Sequence, residues 1–197
     1  LDYGPFGFMD RYDPSHICNH SDHSGRYNYA NQPYIGWWNL ARLGESLLEL
    51  IPQEEVKEIL NHYSEYYTQC YIYEFGKKLG ISDFSRKDLW LLEELLIILA
   101  KFNVDWTIFW RQFSHGQYYS VSMSDSLNND ESYLQWLVKY NNRRKNLDSE
   151  EMRVLMLATN PALVPRNYLL QNAIEKAQDG DFREVDNLFR ALNNPFS

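Results

Sequence analysis

Residues 89–100 read LWLLEELLIILA, a run broken only by Glu93 and Glu94. It is too short to span a bilayer, which takes about 20 predominantly apolar residues, and its two acids interrupt it. Apolar residues that continue almost all round a helix fit one buried on every side. The stretch is therefore read as a central helix over 86–103, with Ser85 or Asp83 able to cap its start. Adjacent residues point about 100° apart on a helix, so Glu93 and Glu94 cannot face each other as a catalytic pair. A solvated or interhelical ionic role is expected for both.

The flanking sequence is helical in pattern. Upstream, WWNLARLGESLLELI (37–51) places apolar residues at 37, 40, 43, 47, 48 and 51, the spacing of one helix face, and Pro52 ends it. Residues 53–80 carry Val56, Ile59, Leu60, Tyr63, Tyr67 and Cys70 in a stripe that assigns Cys70 to the core. Glu54 and Glu55 sit at the start of this helix, Lys77 and Lys78 at its end, and Gly80 is the stop. Downstream, DWTIFWRQF (105–113) opens on an Asp cap, and residues 114–130 form a Ser/Asn-rich loop. Further helices are expected over 131–145, 148–160, 165–180 and 181–193, the last capped by Asp181 and stopped by Asn193-Asn194-Pro195. Arg143, Arg144 and Lys145 read as a solvated helix end. No run alternates as strands do, so the fold class is mostly α.

Composition bounds the function. The 197 residues, 44% of them apolar, suffice for one domain with a sizeable core. Fifteen Tyr and six Trp must find packing partners and a polar contact for each OH or NH. A net charge of −8, with Arg143 to Lys145 as the lone basic cluster, argues against a nucleic-acid partner. Two cysteines, Cys18 and Cys70, are too few for a disulfide scaffold and fit a reducing compartment. With no signal peptide and no membrane span in the pattern, a soluble cytoplasmic chain is expected.

The opening stretch LDYGPFGFMDRYDPSHICNHSDHSGRYNYANQP (1–33) carries the chemistry. His16, Cys18, His20 and His23 offer zinc ligands, but structural zinc sites add a second, distant pair, and none is present. The alternative is a set of polar loop residues bonded to backbone and neighbouring carboxylates. Asp2-Tyr3-Gly4 fits another role. In kinase-like folds, Asp-aromatic-Gly puts a hard carboxylate oxygen on the Mg²⁺ that bridges nucleotide phosphates, and Gly permits the turn. Arg26 either contacts a nucleotide or pairs with Asp22, and the pair is favoured. Arg166-Asn167, after Pro165, is read as helix-start packing and capping.

Longer motifs surround that triplet. DYGPFGFMDRYDP, ICNHSD, GRYNYANQP and WNLARL, then DWTIFWRQF (105–113), NPALVPRNYLLQNAIEKAQDGD (160–181) and the closing NNPF (193–196), closely resemble the selenoprotein O family, SelO or YdiU. The resemblance runs in order through nearly the whole chain. It implies a protein-kinase-like fold, a pseudokinase that transfers AMP from ATP to Ser, Thr or Tyr hydroxyls of protein substrates. By the same resemblance, Asp2 binds both the nucleotide phosphates and a Mg²⁺ or Mn²⁺ ion. Residues 1–36 hold the magnesium motif and an activation-segment counterpart, and 37–197 the helical C-lobe and a family-specific extension. Cys18 is a redox candidate, because it stands where bacterial members carry a cysteine able to pair near the C-terminus.

The Gly-rich region, Lys–Glu pair and catalytic-loop Asp of that family have no counterpart in this sequence. No catalytic residue is therefore assigned in this chain. A C-terminal fragment is expected, inactive alone and able to self-associate through surface its missing lobe would cover. The alternatives are a non-catalytic helical protein-interaction module and a zinc-stabilised domain.

Overall fold

A computed structural model describes residues 7–19, 21–119 and 125–197. After a turn-rich segment and a 3₁₀ turn (Tyr29–Asn31) come α1 (Gln32–Ser46) and α2 (Gln53–Lys78). A second 3₁₀ turn (Arg86–Asp88) leads into α3 (Leu89–Lys101), followed by α4 (Trp106–Ser114), α5 (Asp125–Asn128) and α6 (Glu131–Arg144). The chain closes with α7 (Ser149–Thr159), α8 (Asn167–Gln178) and α9 (Arg183–Leu192). The mostly α class holds. The described residues contain no strand, only an isolated antiparallel bridge between Arg11 and Asp105.

Local chemistry explains most boundaries. Ser85 and Asp88 form a reciprocal capping box ahead of α3, and the Asp105, Asp130 and Asp148 side chains accept from the first amides of α4, α6 and α7. Asp181 accepts from the Arg183 amide, yet Phe182 occupies the cap position of α9. The first helix begins at Gln32, not at residue 37, because Pro33 lies in its first turn, where no N–H is needed. It also ends at Ser46, well before Pro52. Within 114–130, expected to be a loop, α5 forms a single turn whose Leu127 is fully buried.

The core is aromatic. Phe109, Trp110 and Phe113 of α4 meet Tyr133, Trp136 and Tyr140 of α6 beneath Leu91, Leu92, Leu95 and Leu99 of α3. Two polar edges are satisfied through backbone: Trp136 Nε1 donates to the Leu91 carbonyl at 2.7 Å and the Tyr140 hydroxyl to that of Leu79 at 2.8 Å, whereas the Trp110 indole N–H is buried without a hydrogen-bond partner among the described residues. Helix α3 is not buried all round, for Trp90, Glu93 and Ile97 share an open face. Glu94 makes the expected interhelical pair, 2.6 Å from Lys139 of α6.

Two sequence expectations are corrected here. Cys70 is exposed, on one face with Tyr66 and Tyr73. The packed face of α2 is rotated from it and runs Tyr63, Tyr67, Tyr71 and Phe75, each ring against the next at 6.2, 6.0 and 4.6 Å. The basic cluster is not simply a solvated end. Arg143 binds Asp88 at 2.7 Å and Asp83 at 3.0 Å, and Arg144 donates to the Tyr118 hydroxyl at 2.6 Å. Burial alone would raise the Asp88 carboxyl, but its bonds from Arg143 and Ser85 outweigh that and leave it lowered.

A buried polar knot joins α2 to α4 and α7. Asn160, fully buried, accepts from Lys78 Nζ at 2.8 Å and donates to the Lys78 carbonyl and the Ser114 hydroxyl. The Lys78 ammonium lies over the Trp110 ring at 4.9 Å. Gly80 follows with φ +69°, and a Cβ there would meet the Met152 carbonyl of α7 at 3.0 Å. Gly116 shares that backbone state (φ +72°) but has open space around it.

Gly80→Ala and Gly116→Ala should therefore differ. Both incur backbone strain, within roughly 1–3 kcal/mol, and only Gly80→Ala adds a clash, so its urea midpoint should fall clearly further. Equal midpoints would show that α7 yields freely. Lys78 gives a second test. Burial depresses its pKa to about 8 against 10.5, with Glu74 opposing. Between those values the unfolded chain holds a proton the folded chain has released, so this group's contribution to stability rises with pH. Wild type should gain roughly 1–2 kcal/mol on Lys78→Met between about pH 7.5 and about pH 9.5; a constant difference would mean Lys78 titrates normally.

Candidate functional site

Asp2, Tyr3 and Gly4, read from the sequence as a magnesium motif, lie outside the described residues, as does His20. What the structure describes is the segment that follows them, 7–31, and the way it is fastened. Local bonds shape it first. Asp13 accepts from the Ser15 amide and hydroxyl at 2.8 and 2.6 Å. Asp22 accepts from the Tyr27 amide at 2.7 Å, the Arg26 amide at 3.0 Å and the Ser24 hydroxyl at 3.2 Å. The Ser15 hydroxyl above all holds Asp13 below the usual carboxylate range, and the Tyr27 amide does so for Asp22. The segment folds back on itself where the Tyr29 and Ala30 amides donate to the His16 and Pro14 carbonyls, both at 2.9 Å.

Long-range bonds then pin it to the helical body. The Tyr12 amide donates to the Val104 carbonyl at 2.8 Å, and the Trp106 amide to that of Asp10 at 2.9 Å. Tyr12, buried, stacks on Trp106 at 4.7 Å, and Met9 enters the core. Arg166 closes the arrangement from the far end of the sequence. Its guanidinium grips Asp105 with two bonds, at 2.6 and 2.8 Å, and reaches Asp10 at 3.3 Å. Arg166 is 13% exposed and Asp105 24%, so the pair is largely shielded from solvent screening. The Asp105 bonds raise the already high Arg166 pKa, keeping the cation charged.

Several expectations meet the coordinates here. Arg166 does have a structural role, but its side chain makes no capping bond to α8 and instead forms the clamp. Arg26 does not reach Asp22 through its guanidinium; Asp22 takes its backbone amide, while the guanidinium lies 4.4 Å over the Trp38 ring. Cys18 and His16 are half-buried and His23 is exposed. Among the described residues no group of three or more His, Cys, Asp or Glu side chains is placed to hold a metal ion. The structure thus brings together Asp10, Asp105 and Arg166, none of which was singled out as a ligand set. Asp105 was legible only as a cap. Asp10 stands 156 positions from Arg166, and no local pattern marks their meeting.

This arrangement holds and aims; it does not itself carry out bond chemistry. It fixes the backbone of Asp10 and Tyr12 against the helical body. No helix among the described residues is long and apolar enough to cross a membrane.

Comparison with known proteins adds a family to this geometry. The family model described as protein adenylyltransferase SelO matches residues 1–193. The protein nucleotidyltransferase YdiU of Thioalkalivibrio sulfidiphilus (strain HL-EbGR7) is 40% identical over 206 aligned positions, covering all of this chain and 42% of the relative. The chain therefore spans less than half the length of that relative.

If Arg166 is the fastening, Arg166→Lys should loosen it, since an ammonium keeps the charge and loses the two-pronged geometry. Stability should fall by about 1–3 kcal/mol, read from urea unfolding. Amide exchange at Tyr12 and Trp106 should accelerate while Tyr133 on α6 is spared. Unchanged exchange at those two amides would show that the backbone bonds suffice alone.

Proposed function

The chain belongs to the SelO family of protein adenylyltransferases, and from that premise we propose that it supplies the helical half of an enzyme moving AMP from ATP onto Ser, Thr or Tyr hydroxyls of proteins. The helical body fits the C-lobe of a kinase-like fold with its extension. In this reading Asp2 holds a Mg²⁺ or Mn²⁺ ion against the nucleotide phosphates, and the stretch from about Tyr3 to Pro33 acts as the activation segment. The observation that carries it is the match of the family model to residues 1–193, and the clamp of Arg166 on Asp105 and Asp10, which fastens the stretch around Asp10 to the helical body, supports it. Cys18, half-buried on that stretch, is the candidate for redox control, and the cytoplasm is the expected compartment. One carboxylate cannot position a triphosphate and an acceptor, so the chain alone is expected not to turn over.

A second reading has its own support. Two apolar grooves are open, one between α1 and α2 around Leu43, Ile59 and Tyr66, the other between α8 and α9 around Ile174, Val185 and Phe189. Such surfaces suit a protein-interaction module or self-association.

The test is incorporation of label from ATP carrying it on the α-phosphorus, with Mg²⁺ present. A polypeptide of the relatives' full length containing this sequence should label protein, and its Asp2→Ala variant should fall to background. Label retained by that variant would overturn the role of Asp2. No labelling by the full-length polypeptide, with stable capture of a partner, would favour the interaction module.

A further inference from the structure

A cleft of about 500 Å³ opens between the 7–31 segment, α2 and α3, away from the clamp ion pairs. Tyr12, Tyr29, Tyr67, Tyr71 and Glu93 line it, and among the described residues no Lys, Arg or His does. Its remaining polar groups mostly accept. The Thr68 hydroxyl already donates to the Ser64 carbonyl at 2.8 Å, and the Gln32 side-chain amide N–H groups to the Tyr27 and Asn28 carbonyls. Both therefore turn only oxygen lone pairs to a ligand. Glu93 forms no ion pair among the described residues, whereas neighbouring Glu94 is satisfied by Lys139.

Glu93 is the one carboxylate among the described residues that line the cleft. Burial first, then the charges of Tyr29, Tyr12, Tyr67 and Glu93, push the Tyr71 phenol far up, and burial with Tyr12 and Tyr67 pushes Tyr29 up to about 12. These phenols stay neutral, so each offers oxygen lone pairs to a donor. An anion would meet Glu93 with no counter-charge. The walls are completed by Ala30, Pro33, Leu89 and Leu96, an apolar surface suited to a methylene stem.

We propose that this cleft binds an organic cation: the ammonium or guanidinium of a Lys or Arg side chain on a partner protein. The head group, rich in donors and without acceptors, sits among the phenol oxygens and Glu93, and its stem lies along the apolar wall. Under the function proposed above, that partner is the protein receiving AMP, a step that rests on that reading. The binding itself does not.

The test is an NMR titration of the chain, without nucleotide, with Nα-acetyl-arginine amide and with Nα-acetyl-citrulline amide, which keeps the shape and loses the charge. The arginine probe should give saturable shifts at Tyr29 and Tyr71 and bind at least about tenfold more tightly than the citrulline probe. Glu93→Gln, an exposed substitution that spares the core, should weaken the arginine probe about tenfold and leave the citrulline probe unchanged. Tyr71→Phe, removing one phenol oxygen, should weaken it as well. Equal affinity for the two probes, no effect of Glu93→Gln, or no saturable shift would overturn the proposal. Because AMP transfer is not measured, a failed transferase assay leaves this result standing, and the reverse holds too.

Discussion

The Asp105 carboxylate is the constraint on which the arrangement near the functional segment depends. It caps α4 through the Ile108 amide at 2.8 Å and takes both prongs of Arg166 at 2.6 and 2.8 Å, while its backbone bridges to Arg11. Three parts distant in sequence therefore meet at one residue: the segment around Arg11, the start of a core helix, and the approach to the C-terminal hairpin. A largely shielded carboxylate tolerates this only because every oxygen is engaged. The hairpin α8–α9 lends little apolar burial to the body, since Ala173 is its one buried residue. Polar fastenings carry the join instead: the Arg166 clamp, the Ala162 amide to the Pro195 carbonyl at 2.7 Å, and Arg111 to the Phe196 carbonyl at 3.2 Å.

Local signals were legible in the sequence and non-local ones were not. The caps at Ser85 and Asp105, and the stop at Gly80, act within four residues, and the sequence shows them directly. Cys70 was misplaced because α2 carries aromatic residues on two adjacent faces, and periodicity alone does not say which one the core takes. The tyrosine ladder ending at Phe75 settles it by contact with Trp110. Arg143 misled for a similar reason. A cation in the last turn of a helix satisfies the dipole wherever it points, so its partners Asp83 and Asp88 are visible only once α6 lies beside the α2–α3 connection.

The site was less legible than the fold. Asp2-Tyr3-Gly4 is three residues long, and its weight comes from the family resemblance rather than from its own spacing. The cleft beside α3 leaves no motif, since its tyrosines come from positions 12, 29, 67 and 71. Only Tyr67 and Tyr71 share a helical repeat, and that repeat reads as core packing. Glu93 was weighed as half of an impossible carboxylate pair, and its real neighbours are phenols. Sequence spacing identifies partners on one element and is blind to those that three elements bring together.

Clamp and cleft are built from shared side chains. Tyr12 stacks on Trp106 at 4.7 Å, and Tyr29 meets the same indole edge-on at 6.5 Å, while both line the cleft. Trp106 in turn donates its amide to Asp10, an Arg166 partner. A shift of the 7–31 segment therefore cannot alter the Arg166 grip without moving two walls of the cleft. Close-packed aromatic contacts transmit such movement because a gap of half an ångström already forfeits a sizeable part of their attraction. A ligand that displaced Tyr12 or Tyr29 in the cleft would therefore press on the same aromatic contacts that pack beside the backbone of Asp10 and Trp106.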